Sequence, residues 1–352
     1  DLLSLSTLAL AFFARPIGSA LFGHFGDKIG RKKTLVASLV LMGGSTVVIG
    51  LLPTYSQIGI WAPILLCICR VGQGIGLGGE WGGAALVATE NAPEGKRAWY
   101  GTFPQLGAPI GFLVGLYVRL TLHESHVFVE AEEKGKKLKA PVSVVFTKHF
   151  KPMVIGTFIM VATYSLFYIM TAFAQAYSRT PSTLSEAGYP MGLGIPANTF
   201  TGLLLISAIV FAIFISISGL YADKIGRRKW LIWTTVSILI FALCMPLFLG
   251  NGTPASVFAF LVIGMALMGM TFGPMAALLP ELFPTEVRYS GASLAYNIAS
   301  IIGATIAAMI SLKINALYGL MGVGIYLAIN AFLTLLALLA SKETKNVDLT
   351  QI

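Results

Sequence analysis

Long apolar runs separated by short polar stretches dominate the chain from its start to about residue 340. A helix needs about 20 apolar residues to cross the hydrocarbon core of a bilayer. The short alternating strands of a membrane barrel are absent from the pattern. The pattern therefore predicts an all-α membrane protein with ten spans, at residues 2–22, 34–52, 60–89, 99–118, 153–177, 199–222, 230–250, 255–280, 289–312 and 318–340.

The composition excludes several classes of protein. Of the 352 residues, 56% are hydrophobic and 11% are charged, and the mean hydropathy is +0.81. A typical soluble domain carries about 25% charged residues. These values exclude an ordinary soluble enzyme, a disordered chain and a nucleic-acid-binding domain. The three cysteines lie in apolar runs without the spacing of a metal or redox site, so we expect no metal and no cofactor.

The net charge of +9 follows the predicted topology. Lys and Arg cluster between the spans and after the last one, and only four of the 24 lie elsewhere: Arg15, Arg70, Arg179 and Lys313. Basic loops remain on the cytoplasmic side of a membrane. We therefore expect cytoplasmic basic loops, a cytoplasmic C-terminus, the lipid bilayer as a partner and no bound nucleic acid.

The expected alternation of successive loops between the two sides of the membrane fails at one place. The basic clusters at 96–97 and 119–151 should both be cytoplasmic, yet the stretch between them is long enough for one crossing only. An even number of crossings is required. Either one basic loop lies on the opposite side, or a span is missing from this part of the chain.

Two motifs recur in the same order and at nearly the same offset. The segment Gly23–Lys33 recurs as Gly219–Lys229, and Glu90-Asn-Ala-Pro-x-x-x-Arg97 recurs as Glu281-Leu-Phe-Pro-x-x-x-Arg288. An ordered repeat of this kind indicates two homologous halves.

Comparison of the two halves indicates that the first lacks one span at its start and another near 112–118. We therefore expect a two-half helical bundle of 6+6 spans with about ten present; a natural ten-span variant is the alternative. The expected organisation is an N-terminal helical half at 1–120, a cytoplasmic central loop at 121–151, a C-terminal six-helix half at 152–341 and a cytoplasmic tail at 342–352.

The repeated loop, Gly-x-x-x-Asp-Lys-x-Gly-Arg followed by two basic residues, resembles the signature loop in each half of the major facilitator superfamily. Three further segments resemble the fourth, fifth and tenth-to-eleventh helices of its metabolite:proton symporter family: Arg70-Val-Gly-Gln73-Gly-Ile-Gly-Leu-Gly-Gly79-Glu80-Trp81, Phe103-Pro104-Gln105-Leu-Gly107-Ala-Pro109 and Glu281-Leu-Phe-Pro284-Thr-Glu-Val-Arg288-Tyr289-Ser-Gly291.

This resemblance implies a secondary transporter, monomeric and multi-pass, in the bacterial inner membrane, similar to enterobacterial inner-membrane metabolite transport proteins. It implies alternating access, in which one half rocks against the other. Members of the family carry organic acids such as citrate, 2-oxoglutarate and shikimate, or zwitterions such as proline and betaine.

Three ionisable residues lie within predicted spans. Each costs at least about 2.5–3.5 kcal/mol to insert, so each needs a partner or a function. Arg15 and Arg70 could bind a substrate carboxylate bidentately. Glu80, desolvated at this depth, could load and release a proton, and Arg70 could take part in the coupling. The alternative for all three is a structural ion pair or, for Arg15 followed by Pro16, a kinked helix.

Polar and aromatic positions complete the candidate substrate site. Helical stripes contain Tyr164 with Tyr168, and Tyr296 with Asn297; these could line a water-filled cavity, and the alternative is packing. Gln73 and Gln105 lie in the segments that resemble the fourth and fifth helices of the family. Glycines at four-residue spacing, from Gly74 to Gly83, favour close helix contact over a nucleotide-binding function.

The resemblance implies that the repeated loops form a cytoplasmic gate that holds the two halves together. Carboxylates at span ends can meet a helix N-terminus or an arginine. The alternative is simple anchoring of a positive loop. The predicted gate residues are Asp27, Arg31, Glu90, Arg97, Asp223, Arg227, Glu281 and Arg288.

The leading hypothesis is proton-driven symport of a small organic acid, a mono-, di- or tricarboxylate. The alternative cargo is a zwitterionic osmolyte such as proline or betaine, with aromatic residues around the cation. A membrane sensor or an intramembrane enzyme is a remote alternative, because the sequence contains neither a signalling domain nor a catalytic constellation. We therefore predict that the protein is not an enzyme.

Overall fold

A computed structural model describes residues 2–110 and 141–345. Within these ranges every regular element is a helix, apart from one isolated bridge between Leu184 and Pro190. The α-helices are α1 (Leu2–Ile29), α2 (Arg31–Leu51), α3 (Tyr55–Ile58), α4 (Trp61–Glu90), α5 (Arg97–Ile110), α6 (Pro141–Lys148), α7 (Phe150–Tyr168), α8 (Ala174–Arg179), α9 (Ala197–Ile225), α10 (Arg227–Leu243), α11 (Met245–Leu249), α12 (Pro254–Glu281), α13 (Arg288–Ser300) and α14 (Ile306–Ala340).

All ten predicted spans fall on these helices as far as they are described. Six segments are long and apolar enough to cross a membrane by length and composition: Arg31–Leu51, Trp61–Glu90, Phe150–Arg179, Ala197–Ile225, Pro254–Glu281 and Ile310–Ala340. The other four predicted spans lie on α1, α5, α10 with α11, and α13 continuing into α14. The segment near 112–118, most of the predicted central loop and the tail from residue 346 lie outside the described residues.

The repeated loop has the same backbone conformation in both halves. Gly30 separates α1 from α2 with φ 110° and ψ 146°, and Gly226 separates α9 from α10 with φ 110° and ψ 142°. Only glycine adopts this positive φ without strain. Each glycine therefore ends one helix and starts the next within a single residue, and the following Arg31 or Arg227 is fully buried.

Two features bend the second-half helices. π-helical turns at Ile169–Phe173 and Ile301–Thr305 join α7 to α8 and α13 to α14, and Gly319 breaks α14 with φ 68°. Such turns often mark functional sites in helices. The outer surface carries large exposed apolar side chains, as a surface bathed in lipid requires; examples are Val40, Leu205, Ile209, Trp233 and Phe332.

Glycines bring the helices of the first half close together. A methyl group on Gly74 would overlap the backbone of Ala11, and one on Gly78 would overlap the backbone of Arg15. The prediction that these glycines serve helix packing is confirmed. Between the halves, α13 packs on α1 and α4, and α5 packs on α9 and α12. These four contacts frame the candidate site.

Candidate functional site

Aromatic side chains from both halves meet in the middle of the helices. Trp81 of α4 stacks on Tyr296 of α13, with ring centroids 3.8 Å apart and planes inclined by 7°. Tyr296 also contacts the edge of Tyr164 of α7 at 5.3 Å. Tyr168, one turn further along α7, contacts Phe12 of α1 at 5.7 Å. Together with Arg15 these side chains form what we call the central cluster: Phe12, Arg15, Trp81, Tyr164, Tyr168 and Tyr296.

Arg15 supplies a cation to this cluster. Its guanidinium carbon lies 4.2 Å from the centre of the Phe12 ring, and it is close enough to interact electrostatically with Tyr164, Tyr168 and Tyr296. Its Nε is buried and has no hydrogen-bond partner in the described part of the chain. Glu80 of α4 interacts electrostatically with Tyr296 from the other side. A cation, a carboxylate and several aromatic faces are thus within reach of one another.

The burial of these residues distinguishes them from ordinary core residues. Arg15, Glu80, Trp81, Tyr168 and Tyr296 are only partly buried. Each of these side chains therefore keeps some accessible surface. The arrangement suits a small ligand that combines an anionic group with an apolar body, since the guanidinium can bind a carboxylate and the rings can cover the rest.

Arg70 and Gln73 do not join the central cluster. Arg70 Nη1 donates to Gln73 Oε1 at 3.0 Å, and Gln73 Nε2 donates to Thr46 Oγ1 of α2 at 2.7 Å. Arg15 lies level with Gly78, whereas Arg70 lies eight residues earlier on α4, or about 12 Å along the helix. The two predicted arginines therefore belong to different polar groups, and only Arg15 lies among the predicted tyrosines.

Two predicted substrate ligands, Asn297 and Gln105, are buried in contacts between the halves. Asn297 is 1% exposed, and its Nδ2 donates to the carbonyl of Gly78 at 3.0 Å and to that of Ser293 at 2.9 Å. Gln105 is also 1% exposed and accepts a hydrogen bond from Trp81. The structure thus places both amides beside the central cluster rather than in its open part.

The gate aspartates cap helices of the opposite half. Asp27, at the end of α1, accepts hydrogen bonds from the backbone N–H of Tyr289 (3.1 Å) and Ser290 (2.9 Å) at the start of α13. Asp223, at the end of α9, accepts from the backbone N–H of Ala98 (3.0 Å) and Trp99 (2.8 Å) at the start of α5. A carboxylate here satisfies orphan N–H groups and meets the positive end of the helix dipole.

Buried ion pairs surround both caps. Glu90 Oε1 lies 3.1 Å from Arg31 of its own half and 3.4 Å from Arg288 of the other half. In the second copy, Arg227 lies 3.1 Å from Glu281 and 3.2 Å from Asp223. Arg97 of the first half interacts electrostatically with Glu281. All eight predicted gate residues therefore lie at one end of the bundle, in two related groups that each join the halves.

Sequence reasoning did not single out Tyr289, which fills a socket between the halves. The residue is fully buried, and methyl groups on Gly26, Gly82 or Gly83 would overlap or crowd it. Its hydroxyl donates to the Gly79 carbonyl. We call these four glycines the glycine socket. A signal was available in the repeat, because Tyr289 follows Arg288 where the small Ala98 follows Arg97.

Glu343, after α14, is a second residue that the sequence analysis did not identify. Its carboxylate accepts hydrogen bonds from the backbone N–H of Arg227 at 2.9 Å and of Arg228 at 3.1 Å. It therefore caps the N-terminus of α10 and ties the end of the chain's last described helix to the repeated loop. Gly226 leaves the room for this contact, since a methyl group there would meet the carboxylate.

Comparison with known proteins agrees with this architecture. The model of the family described as Major Facilitator Superfamily matches residues 103–308, which is more than half of the chain. The chain belongs to the major facilitator superfamily. A second model of this superfamily's transporters, described as Sugar (and other) transporter, matches residues 1–144. The sequence-based expectations of a two-half helical bundle and of a protein that is not an enzyme are confirmed.

Relatives in the superfamily are similar over almost the whole chain. A Haemophilus influenzae protein named for an inferred role in metabolite transport is 82% identical over 387 aligned residues, which cover 100% of this chain and 88% of the relative. The inner membrane metabolite transport protein YhjE of Escherichia coli is 53% identical, covering 98% of this chain and 85% of YhjE. The protein is therefore a membrane transporter of metabolites.

More distant relatives carry named substrates. The proline/betaine transporter of Salmonella typhimurium is 30% identical over 97% of this chain and 75% of its own length. The shikimate transporter of Escherichia coli is 30% identical over 86% of this chain and 75% of its own length. Among solved structures, the proton:xylose symporter XylE with a bound bromodeoxyglucose superposes with a TM-score of 0.72 at 18% identity, covering 99% of this chain and 88% of XylE. The last likeness shows the shared fold.

Proposed function

We propose that this transporter is a proton-coupled symporter of a small organic acid, a mono-, di- or tricarboxylate, that works by alternating access in the bacterial inner membrane as a monomer. The observation that carries the proposal is the partly buried side chain of Arg15 among aromatic side chains of both halves. A ligand bound there touches both halves at once, as a carrier whose halves rock around a central site requires.

The carboxylate of the substrate binds Arg15, and the rings of Trp81, Tyr168 and Tyr296 cover its carbon skeleton. Charge-assisted hydrogen bonds to a guanidinium are strong in a site with little water, and Arg15 Nε has no partner of its own among the described residues. The similarity to a shikimate transporter supports a carboxylate as cargo, because shikimate is a cyclic carboxylate.

Glu80 is the proposed proton carrier, with Arg70 as a second coupling residue. Glu80 lies near Tyr296 and therefore near the proposed substrate position. Protonation of Glu80 removes a negative charge beside an anionic substrate, so proton binding and substrate binding favour each other. Arg70 lies on the same helix but in a separate polar group, so any coupling through it passes along α4.

The two caps and their ion pairs act as the cytoplasmic gate, with the basic loops and the C-terminus on the cytoplasmic side. Asp27 and Asp223 bind the starts of α13 and α5 in the present structure, so this end of the bundle is closed. Opening towards the cytoplasm requires both contacts and the Tyr289 contact with the glycine socket to break. Binding of substrate and proton would offset that cost.

We further propose that the first half of the transporter normally has a further span near 112–118. The charge pattern and the repeat support this, as does the alignment of 387 residues with a relative, which is longer than the 352 residues of the chain. The relative therefore contains residues that have no counterpart here.

The second candidate cargo is a zwitterion such as proline or betaine. The similarity to a proline/betaine transporter favours it, together with the aromatic faces of Trp81 and Tyr296 next to Glu80. Aromatic faces and a carboxylate would bind the cationic nitrogen, while Arg15 would bind the carboxylate.

Transport by the purified protein in proteoliposomes tests these proposals. An inward proton gradient is imposed, and the lumenal pH is followed as citrate, 2-oxoglutarate, shikimate, glycine betaine or proline is added. We expect proton entry with a carboxylate. In Arg15→Gln, uptake at subsaturating substrate should fall about 10- to 100-fold, because charge-assisted hydrogen bonds contribute about 1.5–3 kcal/mol.

The matched control is Arg179→Gln, which removes an exposed cation that bonds Thr201 outside the central cluster and should leave uptake unchanged. Proton entry with betaine or proline alone would establish the zwitterion. Full activity of Arg15→Gln would contradict the binding role of Arg15, and transport without proton entry would contradict the coupling.

A further inference from the structure

Both amide atoms of Gln105 are engaged in hydrogen bonds with other protein groups. Its Oε1 accepts the indole N–H of Trp81 at 3.1 Å, and its Nε2 donates to the backbone carbonyl of Phe272 at 3.1 Å. Trp81 and Gln105 belong to α4 and α5 of the first half, whereas Phe272 belongs to α12 of the second half. The side chain therefore spans from the central cluster to a helix of the opposite half.

The contact on α12 lies two residues before Pro274, and because proline in a helix interior bends the helix, we call this turn the kink at Pro274. Pro274 has no N–H, so the carbonyl of Met270 loses the partner that a regular helix would give it. The indole N–H of Trp230 from α10 replaces that partner at 2.9 Å. Gln105 bonds the carbonyl of Phe272, which lies between Met270 and Pro274. Two side chains, one from each half, therefore bind carbonyls of the same distorted turn.

We propose that Gln105 is a positioning residue that holds Trp81 against Tyr296 and couples the central cluster to the kink at Pro274, instead of binding the substrate itself. A primary amide suits this position because it accepts on one side and donates on the other. A change of shape at the kink would move the Phe272 carbonyl, and through Gln105 the indole of Trp81. The inference rests on the proposed function only where transport is measured.

The first test needs no substrate. Protein labelled with ¹⁵N in its five Trp indoles is placed in nanodiscs, and the indole resonances are assigned with Trp81→Phe and Trp230→Phe. We expect Gln105→Leu to shift the Trp81 resonance upfield, as loss of a hydrogen bond requires, and to move the Trp230 resonance through the shared kink.

One internal control and one variant complete the test. The indole of Trp61 is 62% exposed and lies 20 residues before Trp81 on α4, about 30 Å along the helix, so its resonance should stay in place. Gln175→Leu removes a glutamine from α8, outside the network, and should leave the Trp81 resonance unchanged. An unchanged Trp81 resonance in Gln105→Leu would overturn the inference, whatever the transport assay gives.

The second test separates positioning from substrate contact. Uptake of the compound that drives proton entry among citrate, 2-oxoglutarate, shikimate, glycine betaine and proline is measured in Gln105→Leu, Trp81→Phe and the double variant. Each single change should lower uptake about three- to tenfold, the effect of one neutral hydrogen bond. If Gln105 acts through Trp81, Gln105→Leu adds less than about twofold to Trp81→Phe. If the losses of uptake in the two single variants multiply in the double variant, Gln105 contacts the substrate directly. That result would overturn the inference.

The outcome of the resonance test does not depend on the outcome of the transport test. If no compound drives proton entry, the proposed function is contradicted, while the indole resonances still decide whether Gln105 holds Trp81 and the kink together.

Discussion

Burial separates the polar residues of this transporter into two kinds. Arg15, Trp81 and Tyr296 lie in apolar helices and are nevertheless partly exposed. Asn297 and Gln105 are fully buried, and their amides are engaged with backbone or indole groups. The first kind can meet a ligand, and the second kind holds the helices that present it.

A single carboxylate at the end of the bundle gives a prediction at this scale. Glu343→Gln should lower stability by about 1–2 kcal/mol, because the charged cap on the N–H groups of Arg227 and Arg228 is lost. A thermal-unfolding scan by intrinsic fluorescence in detergent should show a lower midpoint. Glu186→Gln, in an exposed loop, is the matched control and should leave the midpoint unchanged.

Among the elements, the pair α4 and α13 connects the gate to the central cluster. From the gate inwards, Tyr289 lies in the glycine socket, Asn297 bonds the Gly78 carbonyl, and Tyr296 stacks on Trp81. Tyr289 lies seven and eight residues before Tyr296 and Asn297, about two turns of α13, so a movement of α13 as a whole changes all three contacts together. A ligand that displaces Tyr296 therefore acts on the same helix pair that Tyr289 locks.

Gly83→Ala tests whether the contact of Tyr289 with the glycine socket, which we call the Tyr289 lock, keeps this end of the bundle closed. The added methyl group would lie 2.7 Å from the Tyr289 hydroxyl oxygen, so the hydroxyl must shift and its contact with Gly79 is weakened. We expect the end of the bundle that holds the gate residues, cytoplasmic in our proposal, to open more often, measured as faster thiol labelling of a cysteine introduced at Ala98 in inside-out vesicles.

Gly44→Ala on α2 is the matched control, because a methyl group there meets nothing within 4 Å. Alanine is favoured over glycine in a helix by about 1 kcal/mol, so the control should be neutral or stabilising. Labelling in Gly83→Ala that does not exceed labelling in Gly44→Ala would show that the lock does not depend on the socket.

In the whole molecule, the two halves hold each other by reciprocal contacts. Asp27 of the first half caps α13 of the second, and Asp223 of the second half caps α5 of the first. The internal repeat makes the caps related by symmetry. The Tyr289 contact has no large counterpart, since Ala98 occupies the related position. The gate is therefore symmetric in its charges and asymmetric in its packing.

This asymmetry predicts unequal effects of two matched substitutions. Asp27→Asn and Asp223→Asn each remove a charged cap worth about 1–2 kcal/mol, which is about a 5- to 30-fold change in the equilibrium between closed and open gates. Asp27 bonds the backbone of Tyr289 itself, so its loss should open the gate more than loss of Asp223. Distances between spin labels on the two halves at this end measure both. Equal effects would contradict the role given to Tyr289.

The sequence by itself determined the class of protein, the ten apolar spans, the two related halves and which charged residues meet at one end of the bundle. These features depend on local hydropathy, on the positions of charges and on a repeat. All three depend only on the order of residues along the chain. The residues from Asp27 to Arg31 and from Asp223 to Arg227 occur twice at span ends, where buried carboxylates and arginines need partners.

Only the tertiary structure decided which polar residues meet. Arg15 and Arg70 give the same signal in the sequence, a cation within an apolar span, yet only Arg15 faces the tyrosines of the other half. Gln105, Asn297 and Tyr289 likewise take their roles from contacts with the opposite half. The physical reason is that hydropathy fixes the length of a span, whereas the direction of each helix face depends on packing against helices far away in the chain.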